Sequence, residues 1–227
     1  MRGRSILLAG AIAILLPEIA ACAPAFSSRA AGVALVPRRI AVGPAVVSVF
    51  EFDRSGGLAQ RADWTADAAQ NIDAAIAARV AASGGRTFVA ADVAHTDVPY
   101  GDFRRWSSGA LQEIAGQLDG SRPSAHRAVT EWRFPQSLST WHAALGADFV
   151  VAALFIDAYE VVAPATPAAE RYRANQTGIA CVVDLSDGRI VWCERARDPF
   201  GDLRTPEGAR DAVAAAAAEV WPKGDRP

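Results

Sequence analysis

One stretch of the sequence limits the fold more than any other, the apolar run from Phe149 to Ile156. None of its side chains is polar, so the run offers no face to water. A short apolar run that is rich in valine and phenylalanine is typical of a strand buried on both faces. We therefore expect a central strand that is covered on both sides within a layered α and β domain.

The segments around this run predict helices and a hairpin. Apolar residues at helical spacing predict one helix capped by Thr65, a second that starts near Asp102, and a short third helix just before the run. A last helix starts at Thr205, which is followed by proline at the first helical position. Asp187-Gly188 lies between two β-rich segments, which predicts an antiparallel hairpin. The sequence thus predicts an α+β, α/β-like fold: a single domain in which a mixed β-sheet with a late antiparallel hairpin is flanked by helices.

Composition narrows the class of protein. The chain has 227 residues, of which 51% are hydrophobic and 21% charged, and this suits one globular domain with a sizeable core. These values exclude a disordered chain and a membrane protein with several spans. The formal net charge of -2, without any run of basic residues, also argues against a general nucleic-acid binder.

The amino terminus has the layout of a secretory targeting segment. Two arginines precede an apolar run from Ile6 to Leu16, and small residues follow it up to Cys22. This order of basic, apolar and small-residue regions is that of a signal peptide. The apolar run is shorter than the roughly 20 residues that a membrane-spanning helix needs. We therefore expect cleavage and export rather than a retained membrane helix.

The four residues from Ile19 to Cys22 (Ile-Ala-Ala-Cys) resemble the lipobox of bacterial lipoproteins. The resemblance implies cleavage before Cys22 and a diacylglycerol on its sulfur; the alternative is an ordinary signal peptide with a chance cysteine. Ala23, in place of aspartate, resembles the outer-membrane signal of enteric-type sorting. The implied division of the chain is a signal peptide at 1–21 and a lipidated tether at 22–37. An α+β periplasmic domain follows at 38–222, and a tail at 223–227.

The order of the predicted elements and two short motifs resemble a group of bacterial envelope lipoproteins. The motifs are Gly146 to Asp148 before the apolar run and the hairpin from Val183 to Trp192. The group includes the curli-secretion lipoprotein and the outer-membrane lipoprotein activators of penicillin-binding proteins. Its fold is similar to the amino-terminal domain of the periplasmic Tol–Pal propeller protein. The resemblance, over roughly residues 39 to 221, implies action by protein contact; we see no long alternating hairpins of the kind from which the curli protein builds a pore.

Two cysteines, Cys181 and Cys193, lie in the two β-rich segments of the predicted hairpin. After export they would meet an oxidising compartment, in which disulfides form. A three-residue loop from Ser186 to Gly188 puts the two cysteines opposite each other, whereas a two-residue turn moves them out of register. Two interpretations therefore stay open: a cross-strand structural disulfide, or two buried reduced thiols.

A second candidate site is the segment Trp132-Arg133-Phe134, which has no clear period. We expect an exposed loop that binds a protein partner, since tryptophan and arginine are frequent interface anchors. The sequence contains no histidine pair with metal-ligand spacing and no Gly-x-Ser-x-Gly motif of a serine hydrolase. We therefore predict no catalytic residue, no metal and no cofactor, and we expect His142 to be a partly buried residue of its helix.

Three functions fit these observations. The first is a non-enzymatic scaffold or accessory factor in envelope assembly, lipid-anchored to the periplasmic face of the outer membrane and bound to an envelope protein. The second is an envelope hydrolase whose site is built from loops around His95, Asp97 and Asp102. The third is a module that binds a small molecule or peptidoglycan in a polar cleft at the strand ends. We predict the first; the sequence leaves its partner and its oligomeric state open.

Overall fold

The computed structural model describes residues 27–29, 39–52, 57–82, 86–88, 100–118, 131–134, 139–160, 176–196 and 200–217. In this part of the chain it contains eight strands and four helices. The strands are β1 (Ser27–Arg29), β2 (Arg39–Val42), β3 (Val46–Phe52), β4 (Leu58–Gln60), β5 (Arg86–Phe88), β6 (Phe149–Glu160), β7 (Thr177–Asp184) and β8 (Ile190–Arg195). The helices are α1 (Ala62–Ala82), α2 (Tyr100–Leu118), α3 (Ser139–Leu145) and α4 (Pro206–Ala216). None of these helices is long and apolar enough to cross a membrane.

The apolar run lies in β6, a strand of 12 residues inside one mixed sheet. On one side β7 pairs with it in antiparallel fashion, and β8 and β1 continue the sheet outward. On the other side β2 and β3 follow one another along β6, and both run parallel to it. β5 pairs with β2, and β4 pairs with β3. The predicted mixed sheet with a late antiparallel hairpin, in a single domain, is confirmed.

Different helices cover the two faces of the sheet. α1 and α4 cover one face, where the helices contribute Ala68, Ile72, Ile76, Val80, Ala209, Ala212, Val213 and Ala216 to the core. α2 and α3 cover the other, where they contribute Phe103, Leu111, Ile114, Leu118, Trp141 and Leu145. The neighbouring residues Val150 and Val151 of β6 belong to opposite cores, and both are buried. The central strand is therefore covered on both sides, as its apolar run predicts.

The helix starts differ in how closely they follow the local sequence. Thr205 is the N-cap of α4, and its hydroxyl accepts a hydrogen bond from the Gly208 N–H at 3.1 Å, as predicted. The cap expected at Thr65 is wrong, because α1 begins at Ala62. The Thr65 hydroxyl instead accepts a hydrogen bond from the Val49 N–H, 3.1 Å away on β3. The Thr65 side chain thus pairs with a backbone N–H of β3, which would otherwise need another acceptor, instead of capping the helix.

One part of the predicted tether belongs to the sheet. Ser27–Arg29 pairs with β8 in antiparallel fashion, with Ser27 opposite Glu194. The rest of the predicted tether, Cys22 included, lies outside the described residues, as do the predicted signal peptide and tail. The lipidation of Cys22 therefore stays a prediction.

Candidate functional site

The hairpin of β7 and β8 places Cys181 directly opposite Cys193, with 4.1 Å between their Cα atoms, and a disulfide joins them. Both residues are fully buried, on the face that α2 and α3 cover. Thiol–disulfide exchange requires a thiolate to reach one of the sulfurs. A bond in this position therefore suits a structural crosslink better than a redox site.

The loop of this hairpin is longer than either length considered above. The Asp184 N–H donates to the Arg189 carbonyl at 2.8 Å, so four residues separate the two ends of the turn. Gly188 has a φ of 73°, a conformation that favours glycine. A β-bulge further along the hairpin then shifts the register by one residue. The bulge, rather than the loop length alone, brings Cys181 opposite Cys193.

The structure corrects the expected exposed loop at Trp132-Arg133-Phe134. Phe134 is buried, and its ring centroid lies 3.9 Å from that of Trp106 and 5.3 Å from that of Phe103. Trp132 is partly buried, and only Arg133 is exposed. The Phe134 N–H also donates to the Gly188 carbonyl at 2.7 Å, which holds the segment against the hairpin turn. The segment packs into the aromatic core because that contact removes the Phe134 ring from water.

Of the residues named for a loop-built hydrolase site, the described part of the chain includes only Asp102. Asp102 is exposed and forms an ion pair with Arg105, one turn further along α2, at 3.1 Å. His95 and Asp97 lie outside the described residues, so the convergence that this hypothesis requires stays untested. His142 is exposed rather than partly buried, and its Nδ1 donates to the Ala147 carbonyl at 2.7 Å. No group of three or more potential metal ligands occurs in the described residues.

Sequence reasoning missed a buried polar cluster at the carboxyl end of β6. Asp157 is fully buried, and its carboxylate accepts hydrogen bonds from the Tyr159 hydroxyl and from Gln176 Nε2. The Tyr159 oxygen in turn accepts from the Leu203 N–H at 3.0 Å. Burial, together with Asp157, raises the pKa of Tyr159 well above its usual value, so the hydroxyl keeps its proton and donates.

This cluster fixes the segment Phe200–Thr205 that precedes α4, which we call the strap. The Gln176 side chain accepts from the Phe200 N–H at 3.0 Å and donates to the Phe200 carbonyl at 3.2 Å. A Cβ built on Gly208 would lie 2.1 Å from the Asp202 carbonyl oxygen, so only glycine lets the strap pack against α4. The strap is thus held by side chains of β6, by Gln176 just before β7, and by close backbone contact with α4.

Charged groups on the strap are paired with one another and with aromatic rings. Arg204 forms an ion pair with Asp202 at 2.7 Å, and its guanidinium lies 4.4 Å from the Trp64 ring centroid and 4.2 Å from that of Tyr159. Burial opposes ionisation of Asp202, but hydrogen bonds from Arg204 outweigh it and lower the pKa of the carboxyl to about 2. The guanidinium of Arg61 also lies over Trp64, 4.3 Å from its centroid. The arrangement can clamp the strap onto α1.

A groove of about 480 Å³ runs beside β3 along α1. It is lined by Val47, Gln60, Ala62, Thr65, Ala66, Ala69 and Arg104. It lies along the side of a strand, so it is not the polar cleft that a ligand-binding module was expected to have at the strand ends. Nearby on α1, Asp73 accepts a hydrogen bond from the Ala45 N–H at 2.9 Å, and burial raises its pKa to about 6.

The comparisons with known proteins show a distant likeness. No protein-family model matches the chain, and no curated protein matches it. Among solved structures, lipoprotein GNA1162 from Neisseria meningitidis is 17% identical, with 70% of this chain and 78% of that chain covered at a TM-score of 0.33. Two crystal forms of the PelC dodecamer from Paraburkholderia phytofirmans are 13% and 11% identical to this chain, each at a TM-score of 0.32. Each match covers 83% of this chain, together with 96% of the PelC chain in the first form and 93% in the second. Likeness at this level carries no inference about activity or partners.

Proposed function

We propose that this chain is a lipoprotein on the periplasmic face of the outer membrane that acts, without catalysis of its own, as a scaffold or accessory factor in envelope assembly. The observation that carries the proposal is the buried disulfide between Cys181 and Cys193. Stable disulfides form in oxidising compartments and are rare in the cytosol. The bond therefore supports export, which is also what the amino-terminal sequence predicts.

The lipobox residues Ile19 to Cys22 support attachment to a membrane by lipid. A single acyl chain binds a bilayer only marginally, whereas two or more chains on one residue give stable anchoring. Ala23, in place of aspartate, supports the outer membrane as the destination. The domain would then act on proteins within reach of that membrane.

The role of the buried polar cluster supports a non-enzymatic function. Asp157 holds the Tyr159 hydroxyl and Gln176, and these groups hold the strap. Asp202 is committed to Arg204, and Glu51 and Asp63 are committed to Arg61. Each of these charges thus has a structural task in the fold.

The proposal is tested by crosslinking proteins in living cells and purifying this chain from the envelope. Wild type is compared with Cys22→Ala, which removes the acceptor of the lipid, and with Ala23→Asp, which keeps the lipid but adds the residue of inner-membrane retention in enteric-type sorting. A Ser27→Thr variant serves as a control that leaves the lipobox intact. We expect one defined envelope protein to co-purify with wild type and the control, and to be lost from both other variants.

Other outcomes contradict parts of the proposal. Retention of the partner by Ala23→Asp would contradict the outer membrane as the place of action. Retention by Cys22→Ala would show that the anchor does not serve the interaction. The absence of any defined partner of wild type would contradict the scaffold function.

A further inference from the structure

The pairing of β1 with β8 shortens the connection between the folded domain and the proposed anchor. Only five peptide steps separate Cys22 from Ser27, the first residue of β1. Five residues span at most about 18 Å when fully extended. The bilayer that holds the lipid must therefore lie within this distance of Ser27.

The direction of β1 decides which part of the domain faces that bilayer. β1 runs antiparallel to β8, with Ser27 opposite Glu194 and Arg29 opposite Trp192. β1 therefore begins at the end of the sheet where β8 finishes. This end, which we call the strap end, holds the carboxyl ends of β3 and β6 and the strap. The opposite end, the turn end, holds the hairpin turn and the start of β6.

The sheet extends far beyond Ser27 toward the strap end. Through the strand register, Ser27 lies level with Glu194, Ala180 and Ala153. β6 continues to Glu160, seven residues further, which corresponds to about 23 Å. This projection is longer than the reach of the connection to Cys22. A bilayer that lies beyond the strap end and within reach of Cys22 therefore contacts this end of the domain.

We infer that the strap end of the sheet is the membrane-facing surface of the protein, a conclusion that rests on the proposed lipidation of Cys22. Leu58, the one large apolar side chain left exposed among the described residues, lies at this end, because it pairs with Phe52 at the end of β3. An apolar side chain at this position is buried by the interfacial region of a bilayer. The surface fits a lipid bilayer, reached through the anchor of the same chain.

In the described part of the strap end, charges of opposite sign lie close together. The exposed charges on this end include the ion pairs Arg61–Asp63 and Arg210–Glu207. Paired charges of opposite sign give little net attraction to a charged surface. We therefore expect the orientation to persist at high salt, because the length and direction of the tether set it.

The experiment uses the full-length lipoprotein in vesicles that contain a lipid with a nitroxide on its headgroup. A fluorophore is placed on single introduced cysteines, at Leu58→Cys or Glu207→Cys on the strap end and at Ala144→Cys or Ser186→Cys on the turn end. All four positions are exposed. The native cysteines do not compete, since two form the disulfide and Cys22 would carry lipid.

We expect quenching of the two strap-end labels and none of the turn-end labels, at low and at high salt. An insertion of about fifteen Gly and Ser residues between Ala25 and Phe26 lengthens the tether and leaves the domain unchanged, so quenching at the strap end should be lost. Equal quenching at both ends would overturn the inference, as would quenching that survives the insertion.

The mass of the amino-terminal peptide separates this inference from the proposed function. If Cys22 carries lipid and the labels report no preferred end, only the inference about orientation fails. If Cys22 carries no lipid, the proposed anchor fails and the inference falls with it.

Discussion

The two faces of the sheet are held to their helices by different means. On the face of α2 and α3, large aromatic rings fill the space between sheet and helices: the ring centroids of Phe103 and Trp141 lie 4.7 Å apart, and a disulfide crosslinks the strands below them. On the face of α1 and α4, small residues let α4 approach closely, and the polar strap fixes its start. Both faces have an apolar core; the first adds a covalent bond to it, and the second adds satisfied hydrogen bonds.

This difference follows from the residues that each helix presents. Alanines at positions 209, 212 and 216 of α4 contribute little volume, so the backbone of α4 lies close to its neighbours. A buried polar group left without a partner there would lower the stability. Phe103 and Trp141 are large and fully buried, so any missing ring would leave a cavity. Substitutions on the two faces should therefore destabilise the protein by different mechanisms, a cavity on the first face and a lost hydrogen bond on the second.

The largest effect is expected for Trp141→Ala. Trp141 is fully buried and stacks on Phe103, so its removal leaves a cavity in the aromatic core. We expect unfolding in urea to show a loss of about 3–5 kcal/mol. Ala143→Ser, at an exposed position of the same helix, is the matched control. A loss below about 1 kcal/mol would show that the aromatic rings do not support this face.

The next effect is expected for reduction of the disulfide. The bond closes a loop with a sequence separation of 12, and its loss should reduce the free energy of unfolding by about 2–4 kcal/mol. The measurement compares oxidised with reduced protein in urea, and the double variant Cys181→Ala, Cys193→Ala serves as a control that reductant must leave unchanged. Equal stability of the two wild-type forms would contradict a structural role of the bond.

A smaller and more local effect is expected for Tyr159→Phe on the other face. The change removes the acceptor of the Leu203 N–H and one donor to Asp157. The cost should be about 1–3 kcal/mol, because a buried N–H loses its partner. Hydrogen exchange should speed up at Leu203 and leave the amide of Val183, on the opposite face, unchanged. Equal acceleration on both faces would contradict the separation of the two cores.

The smallest effect is a gain of stability, for Asp73→Asn. Burial raises the pKa of Asp73 to about 6 in the folded protein, against 3.8 for a free side chain. Between these values the folded state holds a proton that the unfolded state has lost, so the contribution of Asp73 to stability falls as the pH rises through this window. At pH 8 we expect the variant to be more stable by about 1–2 kcal/mol, and at pH 4 the advantage should vanish. An advantage that does not change with pH would contradict this cause.

The sequence predicts those features of the fold that neighbouring residues decide. The apolar run in β6 and the cap of α4 at Thr205 depend on residues within a few positions, and both are confirmed. The register of the hairpin is harder to predict, because Val191 and Trp192 both turn toward α1 and α4 and create the bulge. The sequence around Val191 and Trp192 does not show whether the side chains alternate regularly between the two faces or form a bulge.

The strap cluster could not be predicted, because its members come from distant parts of the chain. Asp157, Gln176 and Leu203 meet only once β6, β7 and the strap are in place. One signal was present: Asp157 and Tyr159 follow the apolar run at alternate positions of the same strand, which predicts polar atoms on one face at its end. For Phe134 the sequence carried no such signal: its segment has no hydrophobic periodicity, yet the ring packs into the core beside α2.

The most direct test of the proposed function is the intact mass of the protein purified from the membrane fraction, with and without reductant. The account predicts loss of residues 1–21, added mass of lipid on Cys22, and a gain of about two daltons on reduction, from the two hydrogens that the Cys181–Cys193 disulfide takes up. A full-length chain without lipid, whose mass does not change on reduction, would contradict both export and anchoring.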